Sequence, residues 1–494
     1  MLWCWLIACG SSPADKAGGP LDTANSAVRA GRVVGVSTTP NDATPGHRVR
    51  VSLDARGWAV VACRATDDAA DVLVIDGPAA DGAATLRLLG LRPDVPYRCA
   101  ATNTDGRGVV PFDLTGPSPG GQLLPGTTTT THPTLAPTAR WLLTVWDGAG
   151  GCDLRQTLLV LDHAGRVRWW YQQDELASVD VEALYHPEDG TIVWGGNTQD
   201  GVHVVHLWLG VEWSGIRSAE PLYHHDAKRL DDGSVLVLEH RTDTNGAAEW
   251  IGYAVVIRDV ETDAVLWEWA SQVGFDAGVL PAGAPGADTY HANWADRLPL
   301  SIGERVLLSQ CFDSKILAID PGTGEVDFWL GAGGPIRLVD ADGQPLPDSD
   351  WPQCQHGVDL SGPDTLLLYD NGRQRRESRI VELALDLEAG TATPTWTWTD
   401  GWHERTLGDV DPLGPGRALI TQAHPECWSP TGERSRVLEV DRATGEVVWE
   451  LEFDSERAGI YRSEKIDGCA FPSIHTCDAA AARWQALEPV LGLD

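Results

Sequence analysis

From about Trp141 onward the chain repeats one pattern six times. An apolar run meets a tight turn, and a second run follows that carries an aromatic residue. "LLVLDHAGRVRWW" closes near Trp169, "VVHLWLGVEW" at Trp213 and "AVVIRDVETDAVLWEW" carries Trp267. "ILAIDPGTGEVDFW" supplies Phe328 and Trp329, "IVELALDLEAGTATPTWTW" supplies Trp396, and "VLEVDRATGEVVWE" supplies Trp449. These aromatics lie 44, 54, 61, 68 and 53 residues apart. Each unit is too small to bury its own apolar face, so it must stack on its neighbours. Six such units without a convincing helix between them predict an all-β chain: a six-bladed β-propeller over residues 138–494. The aromatic in each repeat also accounts for 22 Trp against only 6 Phe.

Residues 32–114 read differently. Short β-rich runs such as "RVRVSLDA" and "WAVVACRA" are broken by Gly, Pro and Asp, as in a small β-sandwich. Gly90-Leu91-Arg92-Pro93 followed by Tyr97 is similar to the fibronectin type III or immunoglobulin-like pattern, in which a Tyr bonds back to the corner before its strand. Residues 115–137 read as a Pro/Thr/Gly linker. The tail "DAAAARWQALEPVL" is expected to form a short helix against the propeller rim.

Seventy-one acidic against 37 basic residues give a net charge of −34. Nucleic acid and anionic lipid headgroups both reward clustered Lys and Arg, so neither is an expected partner. The opening "MLWCWLIACGSS" contains Leu6-Ile7-Ala8-Cys9, which resembles a lipobox with Cys9 as the lipidated residue. A small-residue stretch to about residue 31 suits a flexible tether. Export follows as an expectation: periplasm or cell surface, with membrane attachment only through that lipid. Eight further cysteines then favour disulfides, with Cys63–Cys99 and Cys469–Cys477 as the first pairs to consider. No Cys-x-x-Cys pair is present to suggest a zinc-thiolate site.

Three consecutive repeats carry a histidine before the apolar run of an inner strand. They read "HHDAKRLDDGSVLVLEH", "YHANWADRLPLSIGERVLLSQ" and "QHGVDLSGPDTLLLYDNG". The run starts about ten residues after His225 and His356 and about fifteen after His291. A lone histidine is ordinarily a satisfied core or turn residue. Packing gives no reason to repeat an imidazole at one structural position in three blades, and inner strands converge on one central funnel.

These blocks, together with "SKILAIDPGTGEVDFWLG", "RVLEVDRATGEVVWE" and "GIYRSEKI", resemble the arylsulfate sulfotransferase family across roughly residues 141–467. Those enzymes move a sulfuryl group between phenols without a nucleotide donor. The resemblance implies that His356 is the nucleophile, transiently sulfated on nitrogen. It implies that His291, Asn293 and His225 bind the sulfuryl or bridging oxygens, with His224 as a lesser candidate. Asp370, Asn371 and Arg373, from "DNGR", are the further substrate-binding expectations. The partners implied are an aryl sulfate donor and a phenolic acceptor, with no cofactor and no metal. Such chemistry suits a neutral imidazole as nucleophile and preorganised donors around a sulfur-trioxide-like group.

One position departs from the family pattern. Where the pattern has Ser-x-Arg, this chain has Ser309-Gln310-Cys311. Lys315, Arg373 or Arg375 are the nearby cations available to replace the arginine, and Cys311 is placed to pair with Cys354. Two other readings stay open on the residues alone. Three funnel histidines can form a zinc site for hydrolysis, and a propeller can bind a ligand or protein without catalysing anything. A quinoprotein dehydrogenase shares Trp-bearing repeats but commonly has eight of them.

Overall fold

The computed structural model describes residues 31–41, 45–79, 81–120, 124–135, 141–147, 156–172, 182–186, 191–195, 202–206, 211–216, 223–259, 262–414, 416–423, 434–454, 459–466 and 478–493. The chain is all-β, with a six-bladed propeller preceded by a β-sandwich. Cys9, Cys469 and Cys477 lie outside the described residues.

The sandwich has a three-stranded and a four-stranded antiparallel sheet. Val49 and Val51 of one and Val61 and Cys63 of the other share one core. The corner expected at Tyr97 is present, because the Arg92 N–H donates to its hydroxyl at 3.0 Å. Cys63 and Cys99 form a disulfide between directly paired residues of neighbouring strands.

Six blades follow among the described residues, four of four strands and two, blades 5 and 6, of five, with inner strands Gly459–Ile466, Glu182–His186, Tyr223–Arg229, Ala292–Leu300, His356–Gly362 and Asp409–Pro412 for blades 1 to 6. These inner strands contact one another in a closed ring. The C-terminal strand Gly459–Ile466 pairs with Trp141–Asp147 and completes blade 1, so the two ends of the propeller sequence close the ring. Closure leaves the sheets no long free edge at the axis.

The repeated tryptophans lock blade to blade. Trp269 of blade 3 donates its indole N–H to the Gly324 carbonyl in a turn of blade 4, at 3.1 Å. Trp398 of blade 5 reaches Gly445 of blade 6 at 3.0 Å, and Trp449 of blade 6 reaches His163 of blade 1 at 2.8 Å. Local chemistry presents those acceptor turns. Asp320 Oδ1 accepts the N–H groups of Gly322 and Thr323, and Asp441 Oδ1 those of Ala443 and Thr444. Gly324 and Gly445 close the two turns at φ +75, in the left-handed region.

Two expectations need correction. The C-terminal helix Asp478–Leu491 packs on the sandwich, not on the propeller rim. Its Trp484, Leu487 and Leu491 join Val60, Val72 and Val74, and Arg64 pairs with Glu488 at 2.6 Å. That sheet face is apolar on both sides and needs a cover. The stretch read as linker also contains a strand, Thr127–Thr131, which adds a fifth strand to the outer edge of blade 6. Asp71 joins the sandwich to blade 1, accepting from Arg92 at 2.6 Å and from Arg168 at 2.8 Å. Among the described residues no helix is long and apolar enough to cross a membrane.

Candidate active site

The inner strands of blades 3, 4 and 5 each break register at their first residues. The shifts fall between Tyr223 and Ala227, between Ala292 and Trp294, and between His356 and Val358. A bulge turns a side chain off the sheet face and onto a new bearing. His225 has φ +61 and His291 φ +53, a region that non-glycine residues rarely occupy. Two neighbouring blades therefore hold a strained histidine at the same point, as functional sites do. Beside His356, Gly357 sits at φ +42, and a Cβ there would lie 2.0 Å from Asp409 Oδ1. Only glycine lets blade 5 approach blade 6 this closely.

His356 is fully buried. Its Nδ1 lies 2.7 Å from Asn371 Oδ1 and 3.2 Å from the Cys354 carbonyl. The orientation of the Asn371 amide is not arbitrary. Its Nδ2 donates to the carbonyls of Glu404 at 3.0 Å and Leu407 at 2.7 Å, so Oδ1 must face the ring. Both oxygens beside Nδ1 are acceptors, so Nδ1 carries the proton and Nε2 carries the lone pair. Nε2 has no hydrogen-bond partner among the described residues. Burial above all pushes the His356 imidazole down to about 3, and the charge of Arg462 adds to this. The ring is neutral at any ordinary pH.

The other imidazoles gather around it. The His225 and His291 rings meet edge to face with centroids 4.7 Å apart. His291 Nδ1–H donates to Asp288 Oδ2 at 2.6 Å, while the backbone N–H donates to Asp288 Oδ1 at 3.1 Å. Asp288 thus fixes the ring and leaves Nε2 directed away from it. The His291 side chain is 26% exposed, the most open of the three. His225 is buried, and burial together with His291 and His224 holds it well below the usual imidazole range. His224 Nδ1 lies 2.8 Å from His225 Nδ1, and its ring stacks on His240 at 4.1 Å. It therefore orients His225. Asn293 donates to the Gln355 carbonyl at 2.8 Å, beside His356, and its Oδ1 has no partner among the described residues.

The remaining expected residues separate into two groups. Asp370 is saturated: Oδ1 accepts from the Gln353 and Gly372 N–H groups, and Oδ2 from Arg379 at 2.8 Å and from Arg375. It shapes the turn that carries Asn371 and has no capacity left for a substrate. Arg375 is likewise occupied, and Lys315 donates to the Val279 carbonyl and pairs with Asp313. Arg373 lies 5.1 Å over the Phe312 ring, and Phe312 in turn stacks on His291 at 4.6 Å. That stack, with Phe312 44% exposed, forms the outer edge of the cluster. Cys311 and Cys354 form a disulfide between blades 4 and 5, directly behind the histidines. The Cys311 N–H donates to the His291 carbonyl at 3.0 Å.

Sequence reading missed two residues. Asp288 stands three positions before His291 in "ADTYHAN", a spacing visible only in retrospect. Arg462, inside the noted "GIYRSEKI", reaches the cluster from the closing strand. Its Nη2 donates to the Asn293 carbonyl at 2.8 Å. Among the described residues no three His, Cys, Asp or Glu side chains are arranged to hold a metal ion.

This geometry offers a neutral buried nucleophile, a partly exposed His–Asp pair and a buried cation around one point. Comparison with known proteins bears on which chemistry uses them. No curated protein matches the chain. Among solved structures it is similar to a chain of a nidogen/laminin complex (11% identity, TM-score 0.38, covering 66% of this chain and 97% of the other). It is also similar to the β-propeller domain of Cps50 (Swd1) from Myceliophteria thermophila (9%, TM-score 0.36, 69% and 90%). A third is the WD40 domain of Toxoplasma gondii coronin (12%, TM-score 0.33, 67% and 87%). Residues 150–462, more than half of the chain and including every histidine of the cluster, match the family model described as arylsulfotransferase (ASST), and the chain belongs to that family.

Proposed function

We propose that the protein transfers a sulfuryl group from a phenolic sulfate ester to a phenolic acceptor through a sulfohistidine at His356. The observation that carries this reading is the bare Nε2 of His356, its tautomer set by Asn371 and its charge suppressed by burial. Nε2 attacks sulfur as the sulfur–oxygen ester bond breaks, and the electron pair departs with the phenol oxygen. His291 enters the step doubly protonated, its Nδ1–H held by Asp288; it gives the phenol oxygen its Nε2 proton and later regains one from the acceptor phenol. The acceptor oxygen then attacks the same sulfur and releases His356. His225 and Asn293 line the space beside the migrating group and act as its positioning donors. His356 is fully buried, while His291 and Phe312 are partly exposed at the outer edge of the cluster, the side from which this reading has the donor enter.

Release of 4-nitrophenol from 4-nitrophenyl sulfate, with and without an acceptor phenol, tests the proposal. Acceptor-dependent release and a sulfuryl mass adduct on the protein are expected, and both vanish in His356→Ala. Release that persists in that variant would sink the mechanism. A well-folded protein with no release from several aryl sulfates would point to a binding propeller.

The disulfides Cys63–Cys99 and Cys311–Cys354 support an exported protein, since such bonds persist in oxidising compartments. We place it in the periplasm or at the cell surface, lipidated at Cys9. Incorporation of labelled fatty acid that survives Cys9→Ala would contradict this.

A further inference from the structure

Phe312 and Arg373 come from different blades, yet both stand on short tethers to the same histidines. Phe312 follows Cys311, whose disulfide partner Cys354 lies two residues before His356. The Phe312 N–H donates to the Tyr290 carbonyl at 3.0 Å, and the Cys311 N–H donates to the His291 carbonyl at 3.0 Å. These bonds fix the backbone beside His291, and the two rings stack at 4.6 Å. Arg373 lies two residues after Asn371, the partner of His356 Nδ1. Its turn is held by Asp370, which accepts from Gln353, Gly372, Arg375 and Arg379. A fixed backbone thus presents two exposed side chains, Phe312 and Arg373, at the edge of the cluster.

Charge sets Arg373 apart. The other cations near the histidines are engaged: Lys315 with Asp313, Arg375 and Arg379 with Asp370, and Lys228 with Asp226 and Asp296. Arg462 donates to the Asn293 carbonyl and faces Asp226. Among the described residues Arg373 has no ion pair; its Cζ lies 5.1 Å over the Phe312 ring. A cation over an exposed ring is weakly held. A sulfate ester offers a guanidinium two oxygens at once, which is the stronger contact. The stretch from Asp370 to Arg379 also carries four arginines against two carboxylates, in a chain of net charge −34. It is a local attractor for an anion on a surface that otherwise repels one.

We propose that Arg373 and Phe312 form the subsite that receives the aryl sulfate donor, Arg373 binding the sulfate and Phe312 the aromatic ring. The proposal rests on the sulfuryl-transfer reading above and gives it a recognition step. The donor exchanges partners with the resting pair. The guanidinium leaves the ring for two sulfate oxygens, and the donor's own ring takes the aromatic surface so uncovered. No covalent bond changes at this stage. Contacts made equally before and during transfer lower KM and leave kcat nearly untouched.

The test uses the full chain with Arg373→Gln, Phe312→Leu and, as a control on the same loop, Arg376→Gln. The binding probe is 2-naphthalenesulfonate, whose sulfur is bonded to carbon and cannot be transferred. Its Kd by calorimetric titration should rise roughly tenfold in Arg373→Gln and roughly threefold in Phe312→Leu, and hold steady in Arg376→Gln. With 4-nitrophenyl sulfate, KM should rise by similar factors while kcat changes less than about twofold. Added salt should weaken sulfonate binding to the unaltered protein more than to Arg373→Gln. Equal Kd values for the unaltered protein and Arg373→Gln, or no sulfonate binding to either, overturn the proposal. So does a loss in Arg376→Gln as large as that in Arg373→Gln, which reduces the effect to the charge of the loop. An unchanged Kd in Phe312→Leu removes the ring from the subsite. Transfer through His356 with an unchanged KM in Arg373→Gln refutes the subsite and leaves the transfer reading standing. Arg373-dependent sulfonate binding without any transfer does the reverse.

Discussion

Asn371 Oδ1 lies 2.7 Å from His356 Nδ1, and the two carbonyls held by the Asn371 amide leave that oxygen no other orientation. An asparagine thus decides which nitrogen of the histidine is bare. Asn371→Asp replaces a neutral acceptor with an anion, which favours the imidazolium. The neutral fraction of His356 should then shrink on the acid side. An acid limb in kcat/KM at a pH where the unaltered protein has none is expected, and matching pH profiles would count against the orienting role.

Burial holds His356 down to about 3 in the folded protein, against about 6.5 in an unfolded chain. Between those values the unfolded chain binds the proton and the folded one does not, so stability rises with pH across this window. The contribution is present in full above about 6.5 and is lost as pH falls toward 3. His224 and His225, also held well below the usual imidazole range, act in the same direction. Melting temperatures measured from neutral pH down to about 4.5 should fall, and the slope should be shallower in His356→Gln.

Asp288 holds His291 at 2.6 Å. Asp288→Asn removes the charge that supports proton transfer and should cost about 10²–10⁴ in turnover. The loss should be larger for phenyl sulfate than for 4-nitrophenyl sulfate, because the better leaving group needs less protonation. Equal losses for both esters would show that Asp288 only positions the ring.

The disulfides Cys63–Cys99 and Cys311–Cys354 should separate in their effects. Cys311–Cys354 lies directly behind the site, with the Cys354 carbonyl 3.2 Å from His356 Nδ1. Replacing both cysteines by serine should lower turnover roughly ten- to a hundredfold by displacing His356 and His291. Replacing Cys63 and Cys99 should cost about 2–4 kcal/mol of sandwich stability and leave turnover alone. Rates of both double variants, with urea unfolding of each, check the contrast.

Trp449 is buried and donates to the His163 carbonyl at 2.8 Å, joining the last blade to the first. Trp449→Ala should destabilise the propeller by about 3–5 kcal/mol, read from its urea midpoint. A change below about 1 kcal/mol would mean that the blade contact is not held by this ring.

Much of this molecule is written in local pattern. The aromatic closing each repeat, the Asp and Gly of turns such as Asp320–Gly324 and Asp441–Gly445, and the three histidines ahead of apolar runs all act within one blade. Residue types a few positions apart suffice to state them. The six blades and the grouping of His225, His291 and His356 were therefore legible in the sequence. So was the Tyr97 corner, which depends on a partner five residues away. What the sequence did not decide are relations between segments that meet only after folding. Arg462 joins a site built mainly by blades 3 to 5 because the final strand pairs with Trp141–Asp147, more than three hundred residues earlier. The C-terminal helix covers the sandwich because an apolar sheet face there, formed early in the chain, needed burial. Asp370 became a scaffold and Asn371 the orienting group only once the turn placed two arginines on the first and two carbonyls on the second. Spacing along a chain reports which face a residue shares, but only closure of the ring determines what that face meets.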